Sequence, residues 1–147
     1  MTRGTTPATV RPAQRADIPA MHRVRLAVRE NRLTSGAIGE ADYVSAIETT
    51  GRGWVALDGG EVVGFAVGNR LDGNIWALFV DPLHEGRGHG RRLHDAMVAW
   101  LFAQSLPRLW LSTDPGTRAQ TFYQAAGWTP TGVRADGEAA YVLQRPA

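Results

Sequence analysis

Apolar residues recur along this chain with a changing period, and each change marks a new element. Asp17 precedes Ile18-Pro19, and Met21, Val24, Arg25 and Val28 then recur at helical spacing, predicting a first helix over about 17–32. A second, shorter helix is predicted from Glu40 to Glu48. The period then changes. Trp54 to Leu57, Val62 to Val67 and Ile75 to Val80 are short β-rich runs, separated by the turn signals Asp58-Gly59-Gly60 and Asp72-Gly73. They predict an antiparallel meander joined by hairpins. After Pro82 the helical period returns, with Leu93, Ala96, Met97, Trp100 and Leu101 on one face of a helix over about 88–105 that Pro107 stops.

Leu109-Trp110-Leu111 reads as a further strand. Ala119, Phe122, Tyr123 and Ala126 mark a short helix closed by Gly127, and Trp128 to Val133 and Ala139 to Leu143 supply two last strands. The order is strand, two helices, three strands, helix, strand, helix, two strands. That order describes an α/β fold with a mixed sheet and helices on both faces. No repeat or low-complexity linker divides the chain, so 1–147 reads as a single domain with a flexible N-terminal segment over about 1–9.

Composition narrows the chemistry. The sequence has no Cys, which removes disulfides, Cys-ligated zinc and a thiol nucleophile. It has no Lys either: all 16 basic residues are Arg, so Schiff-base catalysis and the phosphate-gripping lysine of a P-loop are excluded. Arg remains, the better fork for phosphate. The arginines are scattered among acids and form no basic run, so no nucleic-acid partner is expected. No apolar run approaches the roughly 20 residues that cross a bilayer. Met1 to Val10 is Thr-rich without a hydrophobic signal segment, so the expectation is a soluble cytoplasmic protein with no membrane partner.

The most informative stretch joins a strand end to a helix start: Val80-Asp81-Pro82-Leu83-His84-Glu85-Gly86-Arg87-Gly88-His89-Gly90-Arg91-Arg92-Leu93. Three alternate glycines let backbone N–H groups turn toward a ligand without side-chain obstruction. A helix N-terminus adds partial positive charge, and Arg87, Arg91 and Arg92 add formal charge, so a pyrophosphate suits the turn. The spacing fits neither the nucleotide P-loop nor the dinucleotide fingerprint.

This stretch resembles the main motif of the GNAT superfamily of N-acetyltransferases, Gln/Arg-x-x-Gly-x-Gly/Ala after a strand ending in a hydrophobic-x-Val pattern. Leu78-Phe79-Val80 and Gly86-Arg87-Gly88-His89-Gly90 stand at the matching positions. A second block, Arg118 to Trp128, is similar to the family's late helix and following strand. Two departures stand out: Glu85 where the family usually has Gln or Arg, and Gly116 where many relatives place an Asn, a role open to Thr117 or Asp114.

The resemblance implies a GNAT-like fold with a mostly antiparallel central sheet, in which a splayed strand pair holds acetyl-CoA as co-substrate without a metal. It implies cofactor contacts from Leu78, Phe79, Val80, Glu85, Gly86, Arg87, Gly88, His89, Gly90 and Arg91, with backbone groups of the strand pairing pantetheine and polarising the thioester. It makes Tyr123 the candidate general acid for the departing thiolate, the alternative being an ordinary buried aromatic beside Phe122. It turns Arg29, Glu30 and Asn31, with Arg25 and Arg32, toward the acceptor, a small-molecule or peptide amine, the alternative being an ordinary solvated helix face. A self-associated homodimer is compatible with the sequence. The general base is not identified: the strand at 74–80 holds no acid, and Glu30, Glu40, Asp42 and Glu48 lie in the acceptor-side region. His84, His89 and His94 straddle the phosphate turn and do not form a metal face. The five Trp residues read as core packing. With no Cys for a covalent relay, direct attack in a ternary complex is expected, the alternative being a non-catalytic acyl-CoA binding module.

Overall fold

A computed structural model describes residues 9–28 and 38–146. The N-terminal 1–8, and with it most of the segment expected to be flexible, lies outside the described residues. Strand β1 (Thr9–Pro12) leads into helix α1 (Ile18–Ala27), whose Pro19 stands in the first turn, where its missing N–H leaves no helical bond unmade. Asp17 anchors this junction. Its carboxylate takes two bonds from Arg11 of β1, at 2.8 and 3.0 Å, and one from the Gln14 N–H at 2.7 Å. The Arg11 guanidinium is the main reason its carboxyl titrates below the ordinary carboxylate range.

The first helix is shorter than its spacing predicts, because Val28 turns extended, with ψ of 98°. No apolar residue follows Val28 until Leu33, so nothing extends the buried stripe. Residues 29–32 of the predicted helix lie outside the described residues. The second helix, α2 (Glu40–Val44), runs straight into a π-helical turn over Ser45–Thr49.

Strands β2 (Gly51–Asp58), β3 (Glu61–Asn69) and β4 (Ile75–Val80) form the expected meander and pair with β1 in the order β1-β2-β3-β4, antiparallel throughout. Then come α3 (His89–Ala103), β5 (Arg108–Thr113), α4 (Arg118–Ala125), β6 (Thr129–Val133) and β7 (Ala139–Gln144). The last three strands make a second antiparallel sheet, ordered β5-β7-β6. The only pairing between the two sheets among the described residues is one parallel bridge, Asn74 with Trp110.

Period-two alternation along β3 explains the layers. Phe65 and Val67 face α1 and α2, with Met21, Val24 and Tyr43. Ala66 faces α3 and joins Leu93, Met97, Leu101, Leu109 and Tyr141 on the opposite side. Gly64 and Gly68 sit under α3, where a Cβ would meet a Leu93 methyl at 3.1 Å or a Leu101 methyl at 2.7 Å. Among the described residues no helix is long and apolar enough to cross a membrane.

Candidate functional site

The site begins where the two sheets part. Asn74 and Trp110 are held together by the Trp110 N–H to the Gly73 carbonyl at 3.0 Å and by the Asn74 amide to the Trp110 carbonyl at 3.4 Å. Beyond this point β5 pairs with β7 alone and β4 with β3 alone. The edge of β4 that faces β5 is therefore unpaired. Asp81 donates its N–H to the Val63 carbonyl at 2.8 Å, and the Phe79 carbonyl lies so close to Gly64 that a Cβ there would come within 2.9 Å of it. Since residues of an extended strand turn their N–H and C=O to alternate sides, those of Leu78 and Val80 point the other way, into the gap.

At the end of β4 the chain makes the glycine turn. Gly86 and Gly88 adopt φ of 76° and 84°, left-handed angles that a side chain resists. The first helical bond of α3 runs from the Arg92 N–H to the Gly88 carbonyl at 3.1 Å. The amides of His89, Gly90 and Arg91 precede it, at the positive end of a 15-residue helix. Gly90 lets the helix start close against Val80 and Phe122, at 3.5 and 3.6 Å from where its Cβ would be. These groups wall a cavity of about 480 Å³ with Leu78, Phe79, Arg118 and Tyr123.

A second cavity of about 340 Å³ fills the gap between β4 and β5, bounded by Asn74 to Phe79 on one side and Trp110 to Asp114 on the other. The two share Val28, Leu78, Phe79 and Tyr123 as walls. Tyr123, from α4, is 6% exposed and packs edge-on against Phe122 and Trp128. Burial raises its hydroxyl well above the ordinary tyrosine range, so it is protonated at any neutral pH. That hydroxyl has no hydrogen-bond partner among the described residues.

A helix start fit for a pyrophosphate, an open strand edge and a buried tyrosine at their junction are the parts the resemblance implies. The model of the acetyltransferase (GNAT) family matches residues 19–128, well over half of the chain. The chain belongs to the GNAT family. Acetyl-CoA is the acetyl donor of this family. The GNAT chain is 34% identical over 88 residues to a mycothiol acetyltransferase of Beutenbergia cavernae, a match covering 56% of this chain. It spans about 30% of the length of that curated relative. In structure it is similar to the PaiA N-acetyltransferase of Thermoplasma acidophilum in complex with coenzyme A, with TM-score 0.79 and 10% identity over 95% of this chain and 100% of the other. Ard1 from Thermoplasma volcanium gives TM-score 0.73 and 24% identity over 95% and 97% of the two chains.

Of the cofactor contacts that the resemblance implies, all but Arg87 line the larger of these two cavities. Arg87 reaches back to Asp58 at the end of β2, 3.5 Å away. His89 is buried, and its Nδ1 accepts from Arg92 at 2.9 Å. Its Nε2 stands 3.5 Å from the same Asp58 without making a hydrogen bond. Burial, with Arg92 next to it, lowers the His89 pKa and keeps the ring neutral. The turn is thus braced from behind by Asp58, a residue that the sequence shows only as a hairpin signal.

The two departures have local explanations. Glu85 forms an ion pair with Arg118 at 2.5 Å, so its carboxylate is partly neutralised beside the glycine turn. Gly116 takes φ of 77° and donates its N–H to the Gln120 side chain, while Asp114 and Thr117 line the second cavity in its stead. Arg29, Glu30 and Asn31 lie outside the described residues. Trp54 and Trp128 are buried in the core, whereas Trp76 and Trp110 also wall the second cavity. Glu138, in the β6–β7 turn, lines that cavity too and accepts from Ser112 Oγ at 2.7 Å. Nothing in the local pattern Asp136-Gly137-Glu138 distinguishes it from an ordinary hairpin turn.

Proposed function

We propose that this protein transfers the acetyl group of acetyl-CoA to a primary amine of a small molecule or peptide, by direct attack within a ternary complex. The observation that carries this reading is the continuity of the two cavities through Leu78, Phe79 and Tyr123, which joins an anion-binding helix start to an unpaired strand edge. Acetyl-CoA supplies a thioester: the amine forms a C–N bond, the C–S bond breaks, and coenzyme A leaves as a thiolate.

The chain's own groups do the rest. The amides from Gly86 to Arg91 hold the pyrophosphate. The backbone groups of Leu78 and Val80 pair with the pantetheine amides as a neighbouring strand would. One of the same N–H groups donates to the acetyl oxygen as charge builds there. Tyr123 donates its hydroxyl hydrogen toward the sulfur. Asp114 and Glu138, on the β5–β7 wall, take up the proton of the amine, directly or through water. A cytoplasmic setting suits this reading because the donor is a phosphorylated, membrane-impermeant molecule.

The test is a turnover screen with acetyl-CoA against a panel of amines, read by free-thiol release. Release that rises with one class of amine supports the reading. Binding of acetyl-CoA with no turnover on any amine would leave only a binding module.

A further inference from the structure

Acetyl transfer by itself gives Arg25 nothing to do. This side chain, from α1, is 3% exposed and lines the second cavity. Its Nε donates to the Tyr43 hydroxyl at 3.0 Å, and its guanidinium carbon lies 4.9 Å from the Trp76 ring centre and 5.0 Å from that of Phe79. Its Nη2 is buried without a hydrogen-bond partner, and no carboxylate pairs with it among the described residues.

A buried guanidinium keeps its charge, and aromatic faces offset only part of its lost hydration. The unused donors of its fork match a carboxylate in geometry and charge. A dianionic phosphate would leave excess charge among the rings. The opposite wall of the same cavity is anionic, with Asp114 and Glu138. Arg134, also on that wall, lies over Trp110 and 3.7 Å from Asp136, so it is already engaged.

We propose that the acceptor is an amine that also carries a carboxylate, which seats on the free edge of the Arg25 fork while the amine faces Asp114 and Glu138. The inference rests on the acetyl-transfer reading and narrows it to a substrate class.

The experiment uses matched amines, glycine against glycinamide and β-alanine against its amide, with acetyl-CoA and the wild-type, Arg25→Met and Arg25→Lys proteins. The wild type is expected to favour each acid in kcat/KM by about tenfold to a hundredfold, the span of one charge-assisted bond. Arg25→Met should lose that preference, keep its KM for acetyl-CoA, and melt no lower, since Met fills an aromatic cage without a buried charge. If Arg25→Met fails to fold, Arg25→Lys decides: it keeps the charge, loses the fork, and should show a reduced preference for the acid. Equal use of acids and amides by the wild type overturns the inference and leaves acetyl transfer standing. So does a uniform loss with all acceptors and a lower Tm in Arg25→Met, which would make Arg25 a packing residue. Better use of succinyl-CoA than acetyl-CoA, with that advantage lost in Arg25→Met, would also overturn it by putting the anion on the acyl chain. If no amine is acetylated at all, the transfer reading falls, and this inference with it.

Discussion

Tyr123→Phe isolates one hydroxyl. The ring keeps its neighbours, Phe122 at 5.4 Å, Trp128 at 5.5 Å and Tyr141 at 6.4 Å between centres, and the lost oxygen has no partner to leave unsatisfied among the described residues. Stability should barely change. The kinetic effect follows from the acidity of the group. Burial has made the hydroxyl a weaker acid than an ordinary tyrosine, whereas a free thiol titrates near about 8.5. Handing the proton over completely to a thiolate is therefore uphill, and the hydroxyl works by donating a strong hydrogen bond to the sulfur as charge develops. A bond to a charged group contributes about 1.5–3 kcal/mol, and about 1.36 kcal/mol is a factor of ten in rate. The expected fall in kcat is then about 10-fold to 150-fold, at or below the low end of the roughly 10²–10⁴ range for full general acid catalysis. KM for acetyl-CoA should stay within about twofold, since the bond is made in the transition state. The assay is free-thiol release at saturating amine, with a melting curve on the same sample. Full activity, or a rise in KM with kcat intact, would refute the role and return Tyr123 to core packing.

Gly88→Val should abolish detectable acetyl-CoA binding by calorimetry while Arg134→Ala leaves it in place, because φ of 84° strains a β-branched residue and its Cβ would start 3.0 Å from Arg92 Nη1. Unchanged affinity would remove the turn from the site. Glu85→Gln should tighten acetyl-CoA binding by at most about fivefold, a modest gain because the carboxylate and Arg118 are largely in solvent; the gain should shrink in high salt, and weaker binding would show that the ion pair orders the turn. His94 is buried, its Nε2 accepting from Trp128 at 2.9 Å and its Nδ1 donating to Asp95 at 2.8 Å, and burial lowers its pKa. The unfolded chain therefore binds a proton near pH 6.5 that the folded chain refuses, so stability is full above that pH and declines as pH falls below it. Tm should drop between pH 7 and pH 5, with a shallower slope in His94→Gln; parallel slopes would mean that other groups govern the acid limb.

Much of this fold is legible in the sequence because its elements carry their own punctuation. Asp58-Gly59-Gly60 and Asp72-Gly73 mark the turns of the meander, and Gly86 and Gly88 sit where left-handed angles occur. The stripe from Leu93 to Leu101 is the buried face of α3. Long-range pairings are less legible. The Arg11–Asp17 clamp, the Asp58 brace behind Arg87 and His89, and the Glu85–Arg118 pair join residues whose local spacing says nothing of their meeting. Arg25 is the sharpest case. It shares the helical spacing of Met21, Val24 and Val28, yet nothing local says what would surround a charged side chain on that stripe; it is buried because four rings from α2, β3 and β4 close over it. The break between the sheets is silent in the residue pattern, since the β4 and β5 runs look alike; the splayed pair is expected from the family resemblance alone, and the single bridge at Asn74 marks where the strands part.

That break bears on how the protein stays out of aggregates. A strand edge with free amides and carbonyls is a template on which another chain can grow, and most proteins blunt such edges with charge, proline or a covering element. Here the free edge of β4 is interior. Trp110 to Thr113 stand opposite it and Tyr123 stands where the slot of about 340 Å³ meets the larger cavity. A second polypeptide strand, with its side chains, would have to force the two sheets apart to enter. A thin, unbranched molecule with amides of its own does not. The same walls that, on the proposed reading, admit a ligand by its width thus protect the chain from its neighbours, and a substitution that widens the slot, such as Trp110→Ala, should weaken acetyl-CoA binding and promote aggregation together.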